Sequence, residues 1–338
     1  MAMFRIIIAL LLIGVSVTSL LSQDKTDDAT SPKQAKEPAE TKPAEKTTDT
    51  NKTEGEKRKK PTGHVPLNSQ GTVLMDPVGK RLLLKSKVCL QQGALEMLCC
   101  LDQTKEHESI LTVNTKAYVV HTGLLALSAK PGSPVRYDPN EDKLYPASGQ
   151  KIEIYLNYKD KEGTPHRVPA QSWIRHSIHR FYAFDLPQLP YGVEIPKRSE
   201  LRYDDKHKEI SWYGPMTKAQ RENLLSLSQD RGYRSAIHKF YKLGLSRQMK
   251  ANWVFAGSGF FVDESTGQRS YQAEGGDLIC VANFSTAMID VTEASSAEGT
   301  ESLLYEAWTE RLPPRDTEVL IELIPVFDSK DTAKGIPE

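Results

Sequence analysis

Hydrophobic positions recur along this chain in short segments separated by polar turns, from residue 65 onward. Short apolar segments bounded by turn residues are typical of β-strands. The strands predicted in this way cover residues 82–90, 94–101, 109–113, 151–158, 253–262, 270–273, 278–282 and 318–324. A further strand is expected after the turn at residues 160–163. The whole pattern predicts an α+β domain built on a mixed, mostly antiparallel sheet.

One helix is predicted among these strands, over residues 115–129. Its apolar side chains occupy most of its circumference, which is typical of a helix buried in the core. Asn114 or Thr115 can cap its start, and the sequence Lys130-Pro131-Gly132 ends it.

Residues 199–243 are interpreted as a small helical insertion. Two short apolar stretches around a polar turn predict a hairpin, and Thr217 and Asp230 can each cap a following helix. Two tightly joined helices can form a DNA-reading helix-turn-helix, but the export signal described below argues against that role. The unit resembles a short module of large secreted bacterial proteins, on the strings Leu201-Arg202-Tyr203-Asp204, Trp212, Gly214, Met216-Thr217, Leu224-Leu225, Leu227-Ser228 and Tyr233.

The first 22 residues are interpreted as a signal peptide. One basic residue, Arg5, precedes an apolar run over residues 6–17, and the small residues Ser19 and Ser22 follow it, which is the order of a secretory signal. Cleavage after either serine places the mature protein outside the cytoplasm, in the periplasm or the medium. The alternative is an uncleaved membrane anchor, since residues 4–21 are long enough to span a bilayer.

Residues 23–64 are predicted to be a disordered, charged linker. They contain no Val, Ile, Leu, Met or aromatic residue, so they have nothing to bury that would offset the entropy of ordering their backbone. The basic run at residues 57–60 can contact anionic lipid or wall polymer, or can simply be solvated. The main domain is predicted over residues 65–328, and a polar tail follows over residues 329–338.

Composition excludes some classes of function. The 44 basic side chains equal the 44 acidic ones in number, whereas binding to nucleic acid needs a basic excess on one face. Four cysteines are too few to build a fold that disulfides hold together. The sequence leaves the partners open. Envelope or wall components are candidates, and the membrane is a partner only through an uncleaved signal segment.

Several strings together resemble the YdjY domain, a family of exported bacterial proteins with many planctomycete members. They are Val88-Cys89-Leu90, Leu95-Glu96, Cys100, Lys105-Glu106-His107-Glu108-Ser109, His121, Gly123-Leu124-Leu125, Lys130-Pro131-Gly132, Trp253-Val254-Phe255-Ala256-Gly257-Ser258-Gly259 and Leu278-Ile279-Cys280-Val281-Ala282-Asn283-Phe284. The resemblance spans residues 65–327 and is interrupted between Trp173 and Trp253. It implies a location and a fold, but no activity.

The first candidate for chemistry is a divalent metal site formed by His107, Glu108 and His121. Imidazole and carboxylate groups suit such a metal and would support a metal-assisted hydrolase. Their spacing matches no standard metal motif. The alternative is structural: Glu108 accepts a hydrogen bond from His121, because a buried imidazole without a partner is costly.

Cys89 and Cys100 are candidates for thiol-redox chemistry. If their strands formed a tight hairpin, the two residues would lie on the order of 15 Å apart, beyond the roughly 7 Å between α-carbons that a disulfide tolerates. Either the thiols are free and buried, or the strands do not form a tight hairpin.

Two further groups are candidate binding sites. His176 and His179 lie one turn apart on a predicted helix and could chelate a metal, but a solvated, partly basic helix face is the simpler interpretation. Gly257-Ser258-Gly259 follows a strand as a phosphate-binding turn would. No Lys-Ser/Thr pair comes after it, so a bulged strand end is favoured.

Three functions remain open on the sequence. The first is a non-catalytic extracytoplasmic binding or envelope-associated domain. The second is a metal-assisted hydrolase centred on His107, Glu108 and His121, and the third is a thiol-redox protein that uses Cys89 and Cys100. The first is favoured, because none of the candidate groups completes a standard catalytic motif.

Overall fold

The computed structural model of the protein describes residues 63–295 and 304–327. The predicted signal peptide, the linker up to residue 62 and the polar tail lie outside the described residues. The strands are β1 Val65–Pro66, β2 Val73–Asp76, β3 Arg81–Val88, β4 Met97–Leu101, β5 Ser109–Val113, β6 Pro131–Ser133, β7 Arg136–Asp138, β8 Lys143–Tyr145, β9 Ser148–Lys159, β10 Pro165–Pro169, β11 Ile174–His176, β12 Phe181–Asp185, β13 Leu201–Asp204, β14 Glu209–Tyr213, β15 Trp253–Phe255, β16 Phe260–Val262, β17 Arg269–Tyr271, β18 Ile279–Cys280, β19 Ile289–Val291, β20 Tyr305–Ala307 and β21 Glu318–Pro325. The helices are α1 Ala117–Ala126, α2 Lys218–Ser226 and α3 Arg231–Leu243. None of these helices is long and apolar enough to cross a bilayer.

Eight of the strands form a sheet that closes on itself. Their order is β3, β21, β9, β15, β19, β18, β4 and β5, and β5 pairs back with β3. The neighbours β18–β19 and β4–β5 are parallel, and the other six pairs are antiparallel. The prediction of a mixed, mostly antiparallel α+β fold is confirmed. The sequence did not predict the closure, which gives the eight strands a partner on both sides.

The inside of this barrel is filled by apolar side chains at alternate positions. In β9, Ile152, Ile154 and Leu156 are buried, whereas the residues between them are partly exposed. Together with side chains of β3 and β21 they form one continuous hydrophobic core. Because successive side chains of a strand point to opposite faces, the alternation in the sequence determines which face of β9 lines the interior.

The helix α1 packs through one face against β2 and β3, and its Val120 and Leu124 join the same hydrophobic core as Leu82 of β3. Gly123 lets it approach closely, because a Cβ atom there would lie 2.8 Å from side-chain carbons of Leu67 and Leu82. The prediction that the helix is buried all round is wrong. Tyr118 is 55% exposed and Leu125 is 44% exposed, since the neighbouring elements cover one side of the helix only.

The start of α1 is capped differently from the sequence-based expectation. Its N-cap residue is Lys116 rather than Asn114 or Thr115. Those two residues bind the loop before β2 instead: the hydroxyl of Thr72 donates to the Asn114 carbonyl at 2.6 Å. The main-chain N–H of Tyr118 is satisfied from far along the chain, by a carboxylate oxygen of Glu274 at 3.1 Å.

The strand predicted over residues 253–262 is two strands. Gly257 and Ser258 have φ values of 91° and 56°, a left-handed backbone that an extended strand cannot contain. The chain therefore leaves the barrel after β15 and forms a separate hairpin of β16 with β17. The Gly-Ser-Gly string thus ends a strand, as expected.

A second, smaller sheet of β12, β14 and β13 packs against α2 and α3. The side chain of Thr217 forms a capping box with Gln220, and the side chain of Asp230 caps α3, as the sequence predicts. The buried residues of this small unit form a core of their own: Tyr182, Leu186, Val193, Leu201, Ile210, Trp212, Met216, Tyr233, Ala236, Ile237 and Phe240. The unit therefore starts before residue 199, because β12 completes its sheet.

The chain enters and leaves the small unit at adjacent points. The main-chain N–H of His176 donates to the Arg247 carbonyl at 2.8 Å, and that of Met249 donates to the Ile174 carbonyl at 3.0 Å. Residues 177–247 thus start and end beside each other, on the flank of the barrel.

Candidate functional site

A partly buried ionic cluster lies where the loop over residues 102–108, between β4 and β5, folds back across β4. The Lys105 ammonium is 3.0 Å from Asp277 Oδ1, 3.5 Å from Glu96 Oε2 and 3.6 Å from Glu108 Oε1. It also lies 4.3 Å from the centre of the Phe284 ring. These five residues are called the Lys105 cluster below. One cation among three carboxylates fixes the loop on β4.

Burial makes the charges of the Lys105 cluster interdependent. Burial and the neighbouring Glu108 carboxyl raise the pKa of Glu96 to about 7, against the opposing effect of Lys105. Burial alone would lower the pKa of Lys105, but Asp277 and the two glutamates hold it above its ordinary value. Glu96 is therefore partly protonated near neutrality, while Lys105 stays charged.

The four cysteines are free thiols, and all are buried. β3 and β4 are not neighbours, because β5 lies between them. Cys89 follows the end of β3, where its N–H donates to the Ile110 carbonyl at 2.9 Å. From there its thiol donates to the Ser109 carbonyl at 3.0 Å. Of the alternatives left by the sequence, the absence of a tight hairpin is thus confirmed.

The surroundings of Cys100 stabilise a thiolate. The neighbouring Cys89 thiol is the main cause that lowers the pKa of Cys100 to about 6, although burial opposes the shift. The hydroxyls of Ser109 and Thr112 and the main-chain N–H of Lys105 lower it further. The neighbouring Cys100 thiol, together with burial, raises the pKa of Cys89. The pKa values of the two thiols are thus shifted in opposite directions.

His121 lies on α1 and faces the barrel wall. Its Nδ1 is 2.8 Å from the hydroxyl oxygen of Tyr271, and that hydroxyl donates to the Gly257 carbonyl at 2.9 Å. Because the Tyr271 hydroxyl donates its proton to the Gly257 carbonyl, it acts as the acceptor towards His121. The His121 ring therefore carries its proton on Nδ1. Burial lowers the pKa of His121, so the imidazole is neutral at pH 7.

The predicted contact between Glu108 and His121 is wrong. Glu108 belongs to the Lys105 cluster, and His107 next to it is 76% exposed, with Nε2 3.6 Å from Glu108 Oε2. The loop turns towards Asp277 and away from α1, so His121 finds Tyr271 instead. Within the described residues, no three His, Cys, Asp or Glu side chains are grouped so that they could hold a metal ion. His107, Glu108 and His121 are therefore not brought together.

His176 and His179 do not lie on a helix, so that prediction is wrong. His176 ends β11, whose partner is β20. His179 Nδ1 is 2.9 Å from Glu306 Oε1. The Glu306 carboxylate also accepts hydrogen bonds from Arg175 Nε at 2.7 Å and from the backbone N–H of Ile178 at 3.1 Å. This buried ion pair holds the turn that leads into the small unit.

A wide cleft of about 1090 Å³ opens at one end of the barrel. It is lined by Lys85, Ser86, Lys87, Asp102, Thr112, Asn114, Asn157, Tyr158, Lys159, Pro165, His166, Arg167, Asp316, Thr317, Glu318, Val319 and Leu320. Sequence reasoning missed it, because its residues come from five strands and the loops between them and form no motif. The only trace of the cleft in the sequence is that its polar lining residues alternate with buried positions along these strands.

Positive charge in the cleft is partly uncompensated. Lys85, Lys87 and Lys159 are exposed and pair with no acidic group in the described part of the chain. Arg167, in contrast, is paired with Glu322, Nη2 to Oε2 at 2.8 Å. The three lysines can therefore take an external partner without losing an internal one.

Aromatic surface lies beside these lysines. The rings of His166 and Tyr158 are stacked at 5.0 Å between centroids, and His166 Nε2 is fixed 2.7 Å from Asp160 Oδ2. Together with the amide of Asn157 the pair gives the cleft a flat face edged by hydrogen-bonding groups.

Comparison with known proteins gives one match. Residues 52–186 match the model of the YdjY domain. The matched segment ends just after β12, whereas the strings that carry the sequence resemblance continue on the far side of the small unit. No curated protein matches the chain, and no solved structure does.

Proposed function

We propose that this chain, a YdjY domain-containing protein, is a non-catalytic binding domain that works outside the cytoplasm. Its ligand is a polar component of the cell envelope, bound in the cleft at the end of the barrel. A family match gives a fold and no chemistry. The cleft, with three lysines that have no acidic partner among the described residues, is the observation that carries the proposal.

The charges of the cleft favour a ligand that carries carboxylates together with amines. Lys85, Lys87 and Lys159 supply positive charge, and the acidic side chains of Asp102, Asp316 and Glu318 line the same cleft. Complementary charge of both signs gives specificity more than affinity. The peptide-bearing glycan of a bacterial cell wall has both kinds of group on one flexible polymer.

The flat face of His166 and Tyr158 favours a sugar ring. An aromatic surface offers a sugar ring a large apolar area at little conformational cost. The neighbouring Asn157 amide and Thr317 hydroxyl can then bind the ring hydroxyls. Stacking and polar groups side by side suit a glycan better than an apolar small molecule.

The N-terminal sequence supports the location. A signal peptide over residues 1–22 and a linker without apolar residues would carry the barrel across the membrane and hold it away from the surface. An envelope polymer is then the ligand within reach.

Binding to isolated peptidoglycan tests the proposal. The chain without its first 22 residues is expected to sediment with insoluble peptidoglycan at moderate salt. Exchanging Lys85 and Lys87 together for Ala should weaken binding about tenfold, and added salt should do the same, because exposed charges are screened.

The matched control exchanges two exposed lysines of the small unit, Lys206 and Lys218, for Ala, which should leave sedimentation unchanged. Thermal melting checks that both double variants are folded. A chain that stays in the supernatant, or a control variant that loses binding equally, would refute the assignment of the cleft.

A further inference from the structure

Basic charge is concentrated on the small unit, although the whole chain is neutral. Residues 177–247 contain 13 Lys and Arg side chains and 8 Asp and Glu side chains, whereas the chain has 44 of each kind. The acidic side chains of the β13–β14 turn have local partners. Asp204 lies 2.7 Å from Nδ1 of His207, and Asp205 lies 2.8 Å from Nζ of Lys208. The surplus of positive charge therefore lies elsewhere in the small unit.

The helix α3 carries much of this surplus, because it contains two arginines, two lysines and no acidic residue. Arg231, Lys239 and Lys242 are exposed, and none of the three pairs with an acidic group in the described part of the chain. Lys239 lies over the ring of Phe184, 4.7 Å from its centre. Arg234 differs, because it donates to main-chain carbonyls around the end of α2. Three cations of α3 are thus available to a partner from outside.

The folding of α3 does not account for these charges. The opposite face of the helix holds it on the small unit through the buried side chains of Tyr233 and Phe240. Arg231 is the first residue of α3, where the helix dipole favours an acidic side chain, and the first turn contains none. Lys239 and Lys242 are three residues apart, so their like charges repel each other on the helix surface. An external anion would relieve this repulsion.

The exposed face of α3 has the form of a row. Its members are Arg231, Ser235, His238, Lys239 and Lys242. At 1.5 Å per residue the row is about 16 Å long, so a linear polyanion can lie along it with successive phosphates beside successive cations. The row has no apolar side chain, whereas a helix that binds a bilayer surface inserts such side chains. It also has no Phe, Tyr or Trp on which unpaired bases would stack.

We infer that the exposed face of α3 is a second binding surface, which docks a polyol-phosphate chain, a linear phosphodiester polymer without bases. Arg231, Lys239 and Lys242 bind its phosphates through charge-assisted hydrogen bonds. The surface is distinct from the cleft, because it belongs to the small unit, which has a hydrophobic core of its own. This inference does not depend on the proposed ligand of the cleft.

Fluorescence anisotropy with end-labelled poly(glycerol phosphate) tests the inference. The chain without its first 22 residues is expected to bind this polymer at low salt. The logarithm of the association constant should fall linearly with the logarithm of the salt concentration, because bound phosphates release their counterions. Three neutralised phosphates correspond to a slope of about −2. Labelled dextran, which is uncharged, should not bind.

Two double variants locate the contact. Lys239→Gln combined with Lys242→Gln removes two charges and keeps the helix propensity. It should weaken binding about tenfold and bring the salt slope about one unit closer to zero. The matched control combines Lys80→Gln with Lys143→Gln, outside the small unit. Both of these lysines are exposed and lie over aromatic rings as Lys239 does, at 5.4 Å and 4.7 Å, and their exchange should change neither quantity. Thermal melting checks that both variants are folded.

The wild-type chain can overturn the inference even if a variant folds poorly. A salt slope near zero would show that no phosphate is neutralised. Binding to phosphatidylglycerol vesicles but not to the polymer would show that the face docks on a membrane. Tighter binding to an oligothymidylate of equal charge would show that bases are recognised. Equal losses in the two double variants would show unspecific attraction. Lys85 and Lys87 are intact in every variant, so failure of this inference is distinguishable from failure of the peptidoglycan assignment.

Discussion

The protonation of Glu96 affects the stability of the barrel near neutral pH. Its pKa rises from an ordinary value of 4.5 to about 7 in the folded protein. A raised pKa means that the folded state holds the proton more tightly than the unfolded state. Its contribution to the free energy of unfolding is therefore complete below pH 4.5 and is lost as the pH rises through about 7.

The variant Glu96→Gln tests this linkage, because glutamine stays neutral at every pH. The free energy of unfolding of the wild type, measured by urea titration, should fall between pH 5 and pH 8, and that of the variant should fall less. Asp290, whose pKa burial also raises to about 7, keeps part of the slope in both proteins. An identical slope in the two proteins would contradict the prediction, and Glu264→Gln, on an exposed turn, is the control.

Glu306 stabilises the flank of the barrel, where the chain enters the small unit. Burial alone would raise its pKa, but hydrogen bonds from Arg175 and His179 hold it below the ordinary value. The exchange Glu306→Gln leaves the 5% exposed Arg175 without its buried counter-charge. It should lower the free energy of unfolding by about 3–5 kcal/mol, measured by urea titration.

Glu310 provides the comparison for Glu306. Its carboxylate also binds Arg175, at 3.0 Å from Nη1, but its side chain is 67% exposed. Because water screens such a pair, Glu310→Gln should cost less than about 1 kcal/mol. Similar losses in the two variants would show that burial does not decide the strength of these contacts.

At the residue scale, sequence reasoning identified side chains with special surroundings but not their partners. His121 was expected to need a partner, and it has one, Tyr271. Cys89 and Cys100 were singled out as a pair, and both are free, buried thiols. The partners depend on which strands are neighbours, and a pattern of single positions does not contain that information.

At the scale of elements, the helices of the small unit depend on their first residues. Thr217 and Asp230 each accept a main-chain N–H three residues on, at 3.2 Å and 2.8 Å. Exchanging either for Ala should lower the stability of the small unit by about 1 kcal/mol, as followed by helical circular dichroism during urea titration.

Ser226→Ala, at the last residue of α2, is the matched control for these caps. Its hydroxyl donates to the Asn223 carbonyl of its own helix, so the exchange should change stability by less than about 0.5 kcal/mol. A cap variant no worse than this control would mean that the packing of α2 on α3 alone determines their length.

Elements were predictable where hydrophobic pattern and backbone agree. The strand over residues 109–113 was predicted with the bounds of β5, because its apolar run is continuous and turns limit it on both sides. The strand predicted over residues 278–282 is shorter in the structure, where β18 covers only Ile279–Cys280. A register shift between these two residues interrupts the pairing of β18 with β4. Irregular backbone of this kind leaves no mark in hydrophobicity.

At the scale of the whole molecule, the small unit should be separable from the barrel. It has its own core, and its ends meet where His176 binds Arg247. Replacing residues 180–245 with a short Gly-Ser linker keeps every hydrogen-bond partner of Glu306. The shortened chain is expected to unfold cooperatively, as measured by near-ultraviolet circular dichroism.

A shortened chain that is soluble but lacks a cooperative transition would contradict this expectation and would show that the small unit completes the barrel. A chain with the same linker inserted after Gly163, on the β9–β10 turn, controls for the linker itself. Loops of this kind tolerate insertions at a small entropic cost.

The overall architecture was predictable only as a class. Strand content and the mixed sheet follow from local patterns, whereas closure depends on the pairing of β3 with β21, across most of the chain. The cleft was missed for the same reason, because its lining comes from strands that meet only after closure. His107, Glu108 and His121 are not grouped in the described residues, because nearness in sequence does not fix the direction in which a loop folds.

Closure by the last strand also determines when the protein can fold. The Ser86 hydroxyl donates to the Val319 carbonyl across 233 positions of sequence, and contacts so far apart form late and slowly. A ribosome must therefore finish nearly the whole chain before the barrel can shut, and until then β3 and β9 keep open edges. For a chain exported as we propose, this delay is useful, because the chain reaches the translocation pore while it is still unfolded and can pass through. A premature stop before β21 would leave an aggregation-prone fragment with unpaired strand edges, which quality-control proteases would have to remove.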